Sequence, residues 1–123
     1  MKSKNIRTAL KGDPFGIHRV IEPKGVLPQA ARVVDNNMEV VRDNEIRVNV
    51  AALNVDSASF TQIRRQAGDD IKKIKAIILD IVRECGKLKN PVTGSGGIFV
   101  GRIDKIGAAL RTKKNLKLGD KIA

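Results

Sequence analysis

Glu45-Ile46-Arg47-Val48-Asn49-Val50-Ala51-Ala52 is the stretch of this sequence that decides the fold, because apolar and polar residues alternate along it. Alternation with a period of two predicts a β-strand with one buried face and one solvated face. Two shorter apolar runs precede it, at 31–34 and 38–41. Turn signals separate the three runs, at Asp35-Asn36-Asn37 and at Asp43-Asn44. Three runs joined by two tight turns predict an antiparallel meander.

The periodicity changes from strand to helix after this stretch. Residues 57–63 predict a short helix that begins at a serine cap and is broken by Gly68. Asp69 and Asp70 then suit the positive end of a second helix, at about residues 69–86. One face of that helix is an apolar stripe, formed by Ile71, Ile74, Ile77, Ile78, Ile81, Val82 and Cys85.

Strand-like segments flank the central region, at residues 15–23, 98–103 and 117–123. The first ends at Pro23, which cannot continue a ladder, and it contains His18. Residues 1–14 are polar and basic and predict a flexible start. The chain is therefore expected to be a β-rich α+β domain over residues 15–123 with one substantial inserted helix.

The composition indicates the cellular compartment and limits the classes of binding partner. The single cysteine, Cys85, cannot form an internal disulfide, and no apolar run follows the basic N-terminus, so we expect a cytoplasmic protein without a membrane span. The net charge of +11 makes a nucleic-acid or polyanion-binding module the alternative function. With no Trp or Tyr and only three Phe, base-stacking platforms are scarce, so we expect only non-specific charge attraction to nucleic acid.

Small polar residues gather where the decisive strand gives way to a helix. Asp56 or Ser57 could cap the helix, which would leave Asn54 and Ser59 to face a pocket. A ligand site and a helix cap both remain open at this point. His18 is the only histidine, and both an acid–base role and a structural role remain open for it.

The glycine cluster Gly94-Ser95-Gly96-Gly97 does not fit the dinucleotide fingerprint, since Phe99 occupies the position of its third glycine. The cluster predicts a turn whose backbone passes close to a ligand or to another strand. A zinc site needs three or four converging ligands, and one His and one Cys do not supply them. We therefore expect no metal.

Three segments, read in order, resemble the GroES-like catalytic domain of medium-chain dehydrogenases: residues 45–54, 90–101 and 116–122. Longer strings are similar to the 3,5-diaminohexanoate dehydrogenases of lysine fermentation, at residues 12–20, 22–31, 53–63 and 90–97. This resemblance covers nearly all of residues 12–122. It implies a GroES-like, partly open β-barrel over residues 15–123.

The resemblance also implies an activity. It is oxidative deamination of the 3-amino group of 3,5-diaminohexanoate to 5-amino-3-oxohexanoate, with NAD or NADP as the hydride acceptor. Zinc-dependent relatives carry Cys where Asn54 stands and Gly-His-Glu where Gly94-Ser95-Gly96 stands, so a zinc-free enzyme is expected. The Rossmann domain of the family is absent from these 123 residues, so we expect a C-terminally truncated chain that is inactive alone.

Site residues follow from the same resemblance. Substrate-binding residues are expected to be Asn54, Asp56, Ser59 and Ser95, with Asp56 holding the second ammonium of a diamino acid. Gly94 and Gly96 are expected to face the cofactor. Candidates for a catalytic role are Asp56, Ser57 and His18. The expected partners are the small diamino acid and, as an assembly, a homodimer.

Overall fold

The computed structural model describes residues 10–89, 97–112 and 115–123. In chain order the strands are β1 (Val20–Glu22), β2 (Val33–Val34), β3 (Ile46–Val55), β4 (Gly97–Ile106) and β5 (Lys121–Ile122). The helices are α1 (Ser57–Ala67) and α2 (Ile71–Cys85). Short 3₁₀ turns lie at Ile17–Arg19 and Ala108–Leu110.

The strands form two separate antiparallel sheets, one of β1 and β2 and one in the order β3-β4-β5. The long β3–β4 ribbon pairs Val48 with Ile103 and Val55 with Gly97, and two register shifts interrupt it. The sheets do not close into a barrel within the described residues. The β-rich α+β prediction is confirmed.

β3 is the strand that its alternating sequence predicts, but its predicted buried face is only partly present. Ile103 and Ile106 of β4 are buried near the start of β3. From residue 49 to residue 54, in contrast, every residue of β3 is exposed. An alternating pattern predicts which side chains share a face, but packing elsewhere in the fold decides whether that face is covered.

The predicted meander is wrong, because residues 38–41 do not form a strand. Backbone carbonyl oxygens in and next to this segment accept hydrogen bonds from arginine side chains instead of from a neighbouring strand. Arg19 donates to Asn37 and Val40, and Arg47 donates to Met38. Within the run at 31–34 only β2 is a strand, and it pairs with the preceding strand, β1, instead of with residues 38–41. Side-chain donors have thus replaced a strand partner.

The N-terminal apolar segment also differs from its prediction. Only Val20–Glu22 of residues 15–23 is a strand, and His18 lies in the 3₁₀ turn before it. Gly16 begins this turn with a φ of 76°, a conformation in which glycine is unstrained. The segment therefore approaches the sheet as a turn rather than as an extended strand.

The two helices begin and end where their capping residues predict. Asp56, one of the two capping residues that the sequence offered, caps α1, and Asp70 caps α2 by accepting from the N–H groups of Lys72 and Lys73. Gly68 and Gly86 end them in the left-handed region. None of the helices in these described ranges is long and apolar enough to cross a membrane.

The helices pack on each other through part of the predicted apolar stripe. Ile63 and Ala67 of α1 and Ile74 of α2 are buried, with Ile77, Ile78 and Ile81 packed against them. Ile71 was assigned to this stripe, but it is 68% exposed because it occupies the first position of α2. Cys85 is half-buried rather than fully buried. Burial of Ile63 and of Ile74 stabilises the pair by about 1.5–3 kcal/mol each, and the partly buried isoleucines add less.

Candidate functional site

The junction between β3 and α1 gathers most of the predicted site residues. Asn54 is exposed near the end of β3, and Ser57 is exposed at the first position of α1. Asp56 accepts from the Ser59 N–H (2.9 Å) and from the Ser59 hydroxyl (2.8 Å). Asp56 therefore fills the capping role, one of the two roles left open for this segment.

Ser59 does not face a pocket, contrary to the interpretation from sequence. Its residue is only 1% exposed, and its hydroxyl donates to Asp56. The hydroxyl is directed back into the cap because the third residue of a helix lies beside the capping side chain. Ser57 instead lines an open hollow of about 450 Å³ on the outer face of α1, together with Ala58, Thr61, Gln62 and Arg65.

Gly97 shows why glycine is required at the start of β4. A Cβ atom there would lie 1.8 Å from the carbonyl oxygen of Asn54, so any side chain would collide with β3. The glycine cluster was expected to pass close to a ligand or to another strand, and Gly97 lies against a strand, β3. Gly94, Ser95 and Gly96 lie outside the described residues, and their predicted roles stay predictions.

His18 takes part in a polar cluster immediately before β3, centred on Glu45. Its Nδ1 accepts a hydrogen bond from the Asp13 N–H (2.8 Å), so the ring proton lies on Nε2. Nε2 is 3.1 Å from Glu45 Oε2. Because both ring nitrogens have partners here, this arrangement gives His18 a role in joining segments.

Arg19 makes the strongest contacts of this cluster. Its Nε donates to Glu45 Oε2 (2.8 Å) and its NH2 nitrogen donates to Glu45 Oε1 (2.7 Å), a bidentate pair. Hydrogen bonding from Arg19 lowers the pKa of the Glu45 carboxyl to about 2, and partial burial opposes this shift. The Arg42 N–H and His18 lower that pKa further. Glu45 is thus an anion held by the Arg19 guanidinium, His18 and the Arg42 N–H, not a proton-transfer group near neutral pH.

The two groups of polar residues lie at opposite ends of one strand. His18 contacts Glu45, immediately before β3, whereas Asp56 immediately follows it. A strand of ten residues spans roughly 30 Å. His18 and Asp56 therefore cannot act on the same small substrate in this conformation, and only the β3–α1 junction brings several candidates together.

Sequence reasoning missed the contacts that join distant segments. Arg19 and Glu45 are 26 residues apart, and no periodic pattern marks them. Lys87 is similar, since its Nζ donates to the carbonyl oxygens of Pro28 (2.5 Å) and Gln29 (3.2 Å). Burial lowers the pKa of Lys87, and the nearby charge of Lys89 adds to the effect. These groups hold loops in place.

The residues at the junction limit which cofactors and metals it could hold. Nucleotide pyrophosphates bind at helix starts through free backbone N–H groups, but the Asp56 carboxylate already occupies the start of α1 and would repel a phosphate. The start of α1 therefore does not fit the pyrophosphate of a dinucleotide. No three His, Cys, Asp or Glu side chains cluster as metal ligands within the described ranges. The zinc-free expectation stays a prediction.

Comparison of the sequence with known proteins identifies the family of this chain. The model of the L-erythro-3,5-diaminohexanoate dehydrogenase N-terminal domain matches residues 18–123. A curated L-erythro-3,5-diaminohexanoate dehydrogenase of Fusobacterium nucleatum is 58% identical over 113 residues, which cover 92% of this chain and 32% of that protein. One of Acetoanaerobium sticklandii is 60% identical over 114 residues, or 93% of this chain and 33% of that protein.

The chain therefore spans about a third of the length of the curated relatives it matches. The family match begins at His18, within the first 3₁₀ turn, and covers the five strands and both helices that the structure describes. This chain belongs to the family of L-erythro-3,5-diaminohexanoate dehydrogenase N-terminal domains.

Proposed function

We propose that this chain is the substrate-side domain of an NAD- or NADP-dependent 3,5-diaminohexanoate dehydrogenase, and that its fold is of the GroES-like type. The observation that carries the proposal is the family match over residues 18–123, with about 60% identity to two proteins that bear that name. A nicotinamide cofactor bound elsewhere in the full-length protein would accept hydride from the carbon that bears the 3-amino group. Hydrolysis of the resulting imine would release ammonia and give 5-amino-3-oxohexanoate.

The role proposed for this chain is to hold the diamino acid at the β3–α1 junction. Hydride transfer requires the two reacting carbons to be roughly 3–3.5 Å apart, so a rigid platform for the substrate matters. At the junction a long strand ends and a capped helix begins, so its polar side chains stand at the ends of regular elements. Asp56 brings a negative charge to it, which would attract the second ammonium group of the substrate. Asn54 and Ser57 are the exposed polar neighbours.

Ser95, Gly94 and Gly96 keep their proposed places in this function. In sequence they immediately precede Gly97, and Gly97 lies against Asn54. Ser95 would bind substrate, and the two glycines would face the cofactor. Ser59, which is buried, would support the site through its hydrogen bonds to Asp56.

A chimera tests the proposal. It joins this chain to the remaining two thirds of the Acetoanaerobium sticklandii relative, in place of that protein's matching third. We expect the chimera to reduce NAD or NADP when supplied with 3,5-diaminohexanoate, as followed by nicotinamide absorbance. The 123-residue chain alone should show no turnover and no micromolar NAD binding in calorimetry. A folded but inactive chimera, or tight NAD binding by the chain alone, would contradict the proposal.

A polyanion-binding module is the second candidate, and the net charge of +11 favours it. Binding through charge alone is weak and falls steeply with salt, without sequence preference. We expect that behaviour in a salt titration with DNA of two unrelated sequences. Strong preference for one sequence at physiological salt would favour the binding module over the dehydrogenase domain.

A further inference from the structure

The substrate of the proposed reaction carries a carboxylate, and none of the residues proposed to bind that substrate is a cation. Asp56 would hold an ammonium group, while Asn54, Ser57 and Ser95 are neutral. Arginine is the side chain best suited to a carboxylate, because its planar guanidinium can donate two parallel hydrogen bonds. The carboxylate therefore still needs a partner within reach of the β3–α1 junction.

One face of α1 leads from this junction to an arginine. Ser57, Thr61 and Arg65 follow each other at intervals of four residues, so they form one row along the helix. All three are exposed, on the side of α1 that faces away from its buried residues Ile63 and Ala67. The same row lines the hollow of about 450 Å³ that includes Ser57. A molecule in this hollow would contact the junction at one end and Arg65 at the other.

Arg65 differs from its neighbour Arg64 in its contacts. The Nε of Arg64 donates to Asp69, and the two side chains form an ion pair. No carboxylate in the described part of the chain lies within salt-bridge distance of the Arg65 guanidinium. A second hollow, of about 340 Å³, shares Thr61 and Arg65 with the first, so Arg65 borders both. An anion in either hollow would meet the charge of Arg65.

The spacing along α1 suits the length of the substrate. Asp56 and Arg65 are nine residues apart, which places their Cα atoms roughly 13 Å apart along a helix. In an extended 3,5-diaminohexanoate, roughly 6 Å separate the carboxylate from the 5-amino nitrogen, and a hydrogen bond of about 3 Å at each end gives a span of about 12 Å. The carbon that bears the 3-amino group would then lie between the two charged side chains.

We propose that Arg65 binds the carboxylate of the substrate and thereby selects a diamino acid over a neutral diamine. This inference rests on the proposed function, because it places the substrate of that reaction along the outer face of α1. Arg65 contacts a part of the substrate that does not react, so it stabilises the bound substrate and the transition state alike. Loss of Arg65 should therefore raise KM much more than it lowers kcat.

Steady-state kinetics in the chimera described above test this role. Arg65→Gln should raise KM for 3,5-diaminohexanoate by on the order of tenfold, because a charge-assisted hydrogen bond is lost. The KM for 3,5-diaminohexanamide, in which a neutral amide replaces the carboxylate, should change little. Arg65→Lys, which keeps the charge, should recover part of the affinity for the acid.

Arg64→Gln is the matched control, because it removes the same charge one residue away, from an arginine that is already paired with Asp69. It should leave both KM values nearly unchanged. Equal increases in KM for the Arg64 and Arg65 variants would overturn the proposal, since the effect would then come from net charge. Equal increases for the acid and the amide in Arg65→Gln would overturn it as well.

Chemical modification gives a readout that does not depend on turnover. Phenylglyoxal reacts with exposed arginine side chains, and tandem mass spectrometry distinguishes Arg64 from Arg65. In the chimera without NAD or NADP, saturating 3,5-diaminohexanoate should slow the modification of Arg65 and not that of Arg64. The amide has the same two amines, so it controls for consumption of the reagent, and it should protect neither arginine. Unprotected Arg65 would contradict the proposal.

The two readouts separate this inference from the proposed function. An active chimera in which Arg65→Gln and Arg64→Gln behave alike overturns the role of Arg65 and leaves the function standing. An inactive chimera in which the acid still protects Arg65 contradicts the function and supports carboxylate binding at α1. If the chimera does not fold, as judged by circular dichroism, protection is measured on the 123-residue chain, and its absence there overturns the proposal.

Discussion

A carboxylate lies at each end of β3. The hydrogen-bond partners described for the two carboxylates differ greatly in how far away they are in the sequence. Glu45, before the strand, binds Arg19 and His18, which are 26 and 27 residues away. Asp56, after the strand, binds Ser59, three residues away. Among these contacts, the first carboxylate joins segments that are distant in the chain, whereas the second caps a helix. The same chemical group thus makes a long-range ion pair at one end of the strand and a helix cap at the other.

The contacts of Glu45 and those of Asp56 should contribute differently to the free energy of unfolding. Glu45 and Arg19 are largely buried, with side chains 23% and 18% exposed, and form a bidentate ion pair. Losing one partner of such a pair leaves a poorly solvated charge behind. Losing the Asp56 cap removes a neutral donor's acceptor instead of a charged partner, and the loss of a cap typically costs about 1 kcal/mol. The Glu45 end should therefore contribute more to stability.

Glu45→Gln should produce the largest effect. The substitution keeps the shape of the side chain but leaves the Arg19 guanidinium without its anion, and we expect a loss of about 2–3 kcal/mol in the free energy of unfolding. Urea unfolding followed by circular dichroism measures it. Glu22→Gln is the matched control, because Glu22 pairs with Arg32 in full exposure and should leave the midpoint nearly unchanged. Equal midpoints for the two variants would contradict the comparison.

Lowering the pH should reduce the stability that the Glu45 carboxylate contributes. The pKa of Glu45 falls from 4.5 to about 2 on folding, so between these values the unfolded chain binds more protons than the folded one. The stability due to Glu45 is therefore complete above about pH 5 and is lost as pH falls through the interval toward 2. Unfolding free energies of wild type and Glu45→Gln should converge as the pH is lowered toward that value. A constant difference across the range would remove Glu45 as the titrating group.

The Asp56 end should respond to the loss of capping and not to the loss of charge. Asp56→Ala removes the acceptor for Ser59 and should cost about 1 kcal/mol, while Asp56→Asn keeps a good capping side chain and should cost much less. Thermal unfolding of the two variants distinguishes them. A larger loss for Asn than for Ala would mean that the carboxylate charge, and not its capping geometry, supports the junction.

A second function of Asp56 would appear only in catalysis. In the active chimera, Asp56→Asn should raise KM for 3,5-diaminohexanoate more than for an analogue with a single amino group, because only the former offers a second ammonium. Steady-state kinetics on both substrates test this. Equal changes for the two substrates would remove Asp56 from ammonium binding and leave it as a helix cap.

The smallest expected effect concerns metal. Chelator treatment should change neither the stability of this chain nor the activity of the chimera, since the sequence does not offer a set of zinc ligands. Elemental analysis of protein purified without chelator should find less than one zinc per chain. One tightly held zinc would end the zinc-free interpretation and would direct attention to His18, Cys85 and nearby acids.

The sequence by itself determined the local features of this protein. The alternation at 45–52 predicted β3, and the stripe from Ile74 onward predicted α2 within two residues of its bounds. Asp56, Gly68 and Gly86 marked helix ends, because capping depends on residues within one turn. Four of the site residues predicted from sequence, Asn54, Asp56, Ser57 and Ser59, lie together for the same reason, being consecutive or nearly so.

Only the tertiary structure decided which segments meet. It replaced the meander at 38–41 with arginine contacts to backbone carbonyls, put His18 and Asp56 at opposite ends of β3, and buried Ser59. It also left residues 49–54 exposed although their pattern predicts a buried face. Periodicity and capping act within a few residues, whereas a contact such as that of Arg19 with Glu45 depends on the path of the 25 residues between them. No local pattern carries that information.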